Sequence, residues 1–204
     1  MTNSVEASAA GARPAARGAG KRERLVTAAQ QVFHQHGVEK ATLADIAAAA
    51  GVPLGNVYYY FRTKDALVSA VIEKYGRSYS VMSAEVDQHD QPADRLKAML
   101  RALTSRREQL ARYGCPVGSL STELDKRDDV LRTEAAGVLS GVIDWAEPQF
   151  RAMGRDDARE LAVALIASYQ GITVLASALR DPDLIAAEGD RLERWIDSLA
   201  PSAR

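Results

Sequence analysis

Apolar residues recur three and four positions apart along almost the whole chain, which is the period of an amphipathic helix. Over 21–36 they fall at Leu25, Ala28, Ala29, Val32 and Phe33, and Gly37 ends the run. Over 42–51 they fall at Leu43, Ile46, Ala47 and Ala50, with Thr42 placed to N-cap and Gly51 to terminate. A short helix over 54–61 follows Pro53. A longer one over 63–87 carries Leu67, Val68, Val71, Ile72 and Tyr75, with Thr63 as its cap. Beyond the polar break at 88–92, Leu96, Met99, Leu100, Leu103 and Leu110 belong to one further helix that ends at 112–114. Pro116 opens the next, so Cys115 falls at its N-cap.

The last three helices are predicted over 130–153, 156–180 and 183–199, with Pro148 expected to kink or shorten the first. The second has apolar residues nearly all round, so it should be buried on two sides. No alternating strand pattern or hairpin turn occurs. The prediction is an all-α protein of about nine helices. Residues 1–20, rich in Ala, Gly and Ser, form a disordered tail. Residues 21–66 form a three-helix head, and 67–204 a larger helical body.

Helix, glycine turn, helix over 42–61 is the organisation of a helix-turn-helix, whose second helix enters the major groove of DNA. That second helix has an unusual composition for a core helix. Leu54, Gly55 and Asn56 open it, and Tyr58, Tyr59 and Tyr60 follow. Three consecutive side chains point in three directions on a helix and cannot all be buried. Phenol hydroxyls suit phosphate oxygens, and the first turn suits base edges. Lys64 stands beside the N-terminus of the next helix, where anions are favoured. Thr42, Leu54, Gly55, Asn56, Tyr58, Tyr59, Tyr60 and Lys64 are therefore the candidate DNA contacts.

The segment from Lys21 to about Tyr75 resembles the DNA-binding domain of the TetR family of bacterial transcriptional regulators. Ala28, Phe33, Gly37, Thr42, Ile46, Ala47, Ala50, Gly51, Val52, Gly55, Tyr58, Tyr60, Phe61, Lys64 and Leu67 carry the resemblance. Relatives have Ser or Thr where Pro53 stands, and often Lys where Leu54 stands. Both departures fall where sequence is read, so no operator carries over. The resemblance implies a transcriptional regulator, a repressor released from a palindromic double-stranded operator by a small-molecule effector. It implies that the last two helices form a four-helix bundle in a homodimer. Leu161, Ala164, Leu165, Ser168, Gly171, Leu175, Leu192 and Trp195 are the expected interface. It also implies a pocket among the middle helices. Met99, Leu103, Cys115, Leu120, Trp145 and Tyr169 are its candidates, with Arg106, Ser119, Ser121 and Gln170 as polar groups. Any one of these can equally be plain core.

Over 114–126, Gly114-Cys115-Pro116 and the later Glu123-Leu124 resemble a subset of the family that includes NemR-like members, in which the cysteine senses electrophiles or oxidants. A helix N-terminus with Arg112 nearby is a setting that activates a thiol. The competing reading is a small inert hydrophobe. Two alternatives thus stand beside the ligand-released repressor: a thiol sensor acting through Cys115, and a DNA-binding regulator with no ligand.

Charge supports a head that touches a polyanion. The chain as a whole carries −1, but residues 1–65 hold eight lysines and arginines against five acids, and the remainder is net negative. Arg13 and Arg17 in the tail suit either a floppy segment or an arm reaching a minor groove. The single cysteine permits no internal disulfide. His34, His36 and His89 show no metal-ligand spacing and are expected to be solvated, so neither metal nor cofactor is expected. No acid, base and nucleophile are grouped as an enzyme needs. With no run of 18 apolar residues and no apolar leader at the start, a cytoplasmic protein without membrane contact is expected.

Overall fold

In the computed structural model, residues 14–126 and 130–200 are described, and side chains from residue 20 onward. The described residues form ten helices: α1 (Pro14–His36), α2 (Leu43–Ala50), α3 (Leu54–Tyr60), α4 (Lys64–Val86), α5 (Pro92–Thr104), α6 (Arg107–Tyr113), α7 (Pro116–Leu124), α8 (Val130–Ala152), α9 (Ala158–Leu179) and α10 (Asp183–Leu199). The count exceeds the expected nine because the chain breaks at Ser105 and Arg106, dividing α5 from α6. The apolar period runs through that break undisturbed, so the sequence pattern did not signal it.

Helix starts are set by local chemistry. Thr42 and Asp45 form a reciprocal capping box on α2. Gly51, at φ 64°, ψ 38°, ends α2 in the left-handed region, and the N–H of Val52 reaches back to Ala47 O at 3.0 Å. Thr63 caps α4 through the N–H of Ala66 at 3.1 Å. Two boundaries differ from expectation. Helix α1 starts at Pro14, so residues 14–20, assigned to the tail, are helical; residues 1–13, including Arg13, lie outside the described residues. Helix α8 continues through Pro148 to Ala152 and is not shortened by it.

The head packs α1, α2 and α3 against the first turns of α4. Leu25, Val26, Phe33, Ile46, Val57, Phe61, Leu67 and Val71 are its buried centre. That apolar cluster continues without interruption into the body through α6 and α7, taking in Leu110, Val117, Leu120 and Leu124. A second cluster joins α5, α8, α9 and α10 around Leu96, Phe150, Leu165, Leu192 and Ile196. Helix α4 runs from the head along the body, and the expected boundary at 66–67 falls inside it.

Helix α9 is long and apolar enough, by length and composition alone, to cross a membrane, which the sequence reading did not register. Its apolarity has a different origin. Ala162, Leu165, Ile166, Tyr169, Thr173 and Ala176 are buried within the body. The opposite face is exposed: Val163, Ala164, Ala167, Gly171, Val174, Leu175, Ala178 and Leu179. This face is contiguous at helical spacing, and Val174, Leu175 and Leu179 are each more than half exposed. A patch of this kind marks an interaction surface. Three of the residues expected at the dimer interface lie outside this stripe. Leu165 and Leu192 are buried in their own chain's core, and Trp195 packs its ring on Phe150 at 5.9 Å. Leu161 and Ser168 sit half-buried beside the stripe.

Candidate nucleic-acid interface and effector site

In α3 the side chains divide cleanly. Val57 and Phe61, one turn apart, are buried and hold the helix to the head. Leu54 is 42% exposed, Tyr58 54% and Tyr59 80%, and all lie on the solvent side. Asn56 is half-buried and Gly55 exposed. Tyr60 instead packs against the head core and stands edge-on to Tyr59, with ring centroids 4.9 Å apart. Thr42 is exposed, its hydroxyl engaged with Asp45 at 2.6 Å. These bonds, first the one from the Thr42 side chain, hold the Asp45 carboxyl below its usual range. Lys64 is the first residue of α4. Its Nζ donates to the carbonyl of Glu39 at 3.0 Å, across the turn between α1 and α2.

The body candidates divide among several places. Met99 and Trp145 line an open cleft of about 650 Å³ between α4 and α8. Its apolar walls are Ile72, Tyr79, Val138 and Val142. Its polar groups include Ser69, Ser80, Ser83 and half-buried Glu134, with a Glu73–Arg77 ion pair at 2.6 Å. The Trp145 indole N–H donates to Asp87 Oδ1 at 3.2 Å, which anchors the ring at the end of α4. By contrast Leu103 and Tyr169, with Met99 and Trp145, surround a space of only about 10 Å³. That is core, with room for at most one water, which needs about 10–15 Å³ of such space. Ser119 and Leu120 border a separate 100 Å³ cavity between α1 and α7. Arg106 is exposed at the start of α6.

Cys115 is the N-cap of α7, as the Pro116 spacing predicts, and is 3% exposed. Its sulfur accepts from Gly118 N–H and from Gln170 Nε2, both at 3.4 Å. Arg112 points elsewhere, over the ring of Tyr113 at 5.2 Å. Three tyrosines, Tyr75, Tyr79 and Tyr169, lie near the thiol, and burial pushes each hydroxyl's pKa up. Ser121 Oγ is buried without a hydrogen-bond partner. His34, expected to be solvated, is instead half-buried, with Nε2 at 2.9 Å from Gly114 O and its ring edge-on to Tyr113. His36 and His89 are exposed.

The α4 wall of the cleft, and the α8 wall apart from Trp145, were not among the sequence-based candidates. A signal was present. Gly76, Gly137 and Gly141 lie inside helices, where glycine costs about 0.5–1 kcal/mol relative to alanine. None has a neighbour within 4 Å of where a Cβ would stand, so close helix contact does not explain them. All three line the cleft.

A short exposed helix presented by a capped two-helix unit, on an all-helical body, defines a helix-turn-helix DNA-binding transcriptional regulator. The chain belongs to the TetR family. Residues 25–71 match the family described as bacterial regulatory proteins, tetR family, and 92–189 match the LmrA/YxaF-like transcriptional regulator C-terminal domain. The HTH-type transcriptional repressor DhaR of Mycobacterium sp. strain GP1 is 32% identical over 162 residues, covering 74% of this chain and 79% of that protein. A TetR transcriptional regulator from Chloroflexus aurantiacus superposes with a TM-score of 0.79 at 25% identity, covering 89% of this chain and 96% of that one. Reduced Escherichia coli NemR superposes with a TM-score of 0.75 at 21% identity, over 90% of this chain and all of that one. That last likeness is one of fold alone. Membership of this family of regulators also means that the chain is not an enzyme.

Proposed function

We propose that the protein is a cytoplasmic homodimeric repressor of a palindromic operator, released when a small molecule enters the cleft between α4 and α8. The cleft carries the effector reading. At about 650 Å³ it lies within the range of small-molecule sites, and its lining combines apolar walls with a few polar groups. Helix α4 forms one wall and, at its other end, begins with Lys64 in the head. A ligand that parts α4 from α8 therefore tilts the head. It shifts the dimer between two arrangements by its differential affinity for them.

The exposed stripe on α9 supports a second copy as the dimer partner. A regulator without a ligand should have a filled core, and the cleft argues against that. On Gly114-Cys115-Pro116 we group the chain with the Gly-Cys-Pro subset of the family and read its cysteine as packing. The burial of Cys115 supports this.

The test uses DNA from the protein's own upstream region and a panel of amphipathic small molecules. Trp145 fluorescence reports entry into the cleft, with Trp195→Phe removing the other tryptophan. Compounds that perturb Trp145 should release DNA. Gly141→Phe, with open space at its Cβ position, should fill the cleft and abolish both responses to added compound. Release that persists in Gly141→Phe would place the effector elsewhere.

A further inference from the structure

Glu123 stands in the body, at the end of α7, yet its carboxylate bonds to the head. Oε2 accepts from the N–H of Val38 at 2.7 Å, and Oε1 accepts from the N–H of Glu39 at 2.6 Å. Both donors belong to the turn after α1. Gly37, at φ 81°, lets the turn form, and a Cβ there would meet Glu123 Oε2 at 3.1 Å. The glycine thus serves the turn and the close approach of the carboxylate together. The same turn holds Lys64 through the carbonyl of Glu39. At the other end of α7, Gly114 O meets His34 Nε2 on α1. Helix α7 is thereby tied to the head at both ends. One side chain of α9 also comes close to it: a Cβ on Gly118 would stand 2.3 Å from Gln170 Oε1.

We propose that Glu123 is a positioning residue for DNA binding, a carboxylate from the body that fixes the α1–α2 turn and so sets the pose of the head. Hydrogen bonds to a charged acceptor are the strong ones, and two on one carboxylate fix direction as well as distance. Loss of the carboxylate frees the turn, and the entropy of re-ordering it is then charged to operator binding. The inference rests on the head being the DNA-reading unit. It does not require Lys64 to touch phosphate.

The experiment compares full-length wild type, Glu123→Gln and Glu123→Ala on the same upstream DNA. It follows affinity, melting temperature, and amide hydrogen exchange resolved to single residues. Gln keeps one acceptor oxygen and Ala none, so affinity should fall in the order Glu, Gln, Ala, by about ten-fold at Ala. Exchange should quicken at Val38 and Glu39 and stay unchanged in the buried turns of α1 and α2. Unchanged affinity in Glu123→Ala overturns the proposal. So does faster exchange throughout the head with a matching fall in melting temperature, because Glu123 would then act only on stability. A Lys64→Ala control separates the two readings: its failure to alter salt dependence removes Lys64 from the phosphate contacts and leaves the Glu123 result standing.

Discussion

At the residue scale, the tyrosine run shows what a sequence can and cannot sort. That Tyr58, Tyr59 and Tyr60 could not all be buried followed from helical geometry. That Tyr60 is the one turned inward depends on Val57 and Phe61 setting the rotation of α3 on the head. Asn56, in the first turn, can pair with adenine N6 and N7. Asn56→Ala should cost about 1–3 kcal/mol at one base position and relax preference there, whereas Lys64→Ala should weaken all sequences alike and lower the salt slope by about 1. Binding to a set of operator variants over a range of salt separates the two. Cys115 sits where Pro116 predicts, but its burial was not legible, because it depends on α9 supplying Gln170 from 55 residues away. Native wild type and Cys115→Ser should both keep operator binding in N-ethylmaleimide, with the wild-type thiol labelled only after unfolding by mass spectrometry. Release in wild type alone would make the thiol a sensor.

His34 belongs to the same scale. Burial holds its pKa below the ordinary value, against a smaller opposing effect of the Gly114 carbonyl. The folded chain therefore binds fewer protons than the unfolded chain just below about pH 6.5, and stability rises with pH there. The contribution is present above about pH 6.5 and is lost as pH falls through the folded value. Thermal melts across that window should show wild type losing more stability on acidification than His34→Gln.

At the element scale, helix starts were legible because caps are local: Thr42, Thr63 and Pro116 each act within one turn. The break between α5 and α6 was not, because Leu103 and Leu110 keep the apolar period on both sides of it. Nor was the division of α9 into two faces. Composition shows a helix apolar all round. Only its packing against α6, α8 and α10 decides that Leu165 faces inward and Leu175 outward. The cleft walls were missed for a related reason. Ile72, Val138 and Val142 carry the same periodic signal as core residues, and a wall differs from core only in what stands opposite.

At the scale of the whole molecule, one head offers a single seven-residue helix to DNA. In the proposed dimer, two heads related by a two-fold would read half-sites about one helical turn or more apart, with their spacing set by the interface between bodies. We propose the exposed α9 stripe as that interface. Leu175 is 55% exposed in the single chain, so Leu175→Glu should leave the fold intact while placing a buried, unpaired charge in the dimer. The decisive measurement is a footprint of the full-length protein on its own upstream DNA, paired with sedimentation at the same micromolar concentration. Wild type should sediment as a dimer and protect two symmetric half-sites, and Leu175→Glu should sediment as a folded monomer with at least about ten-fold weaker protection. A wild-type monomer, or an equally strong footprint from Leu175→Glu, would contradict the account.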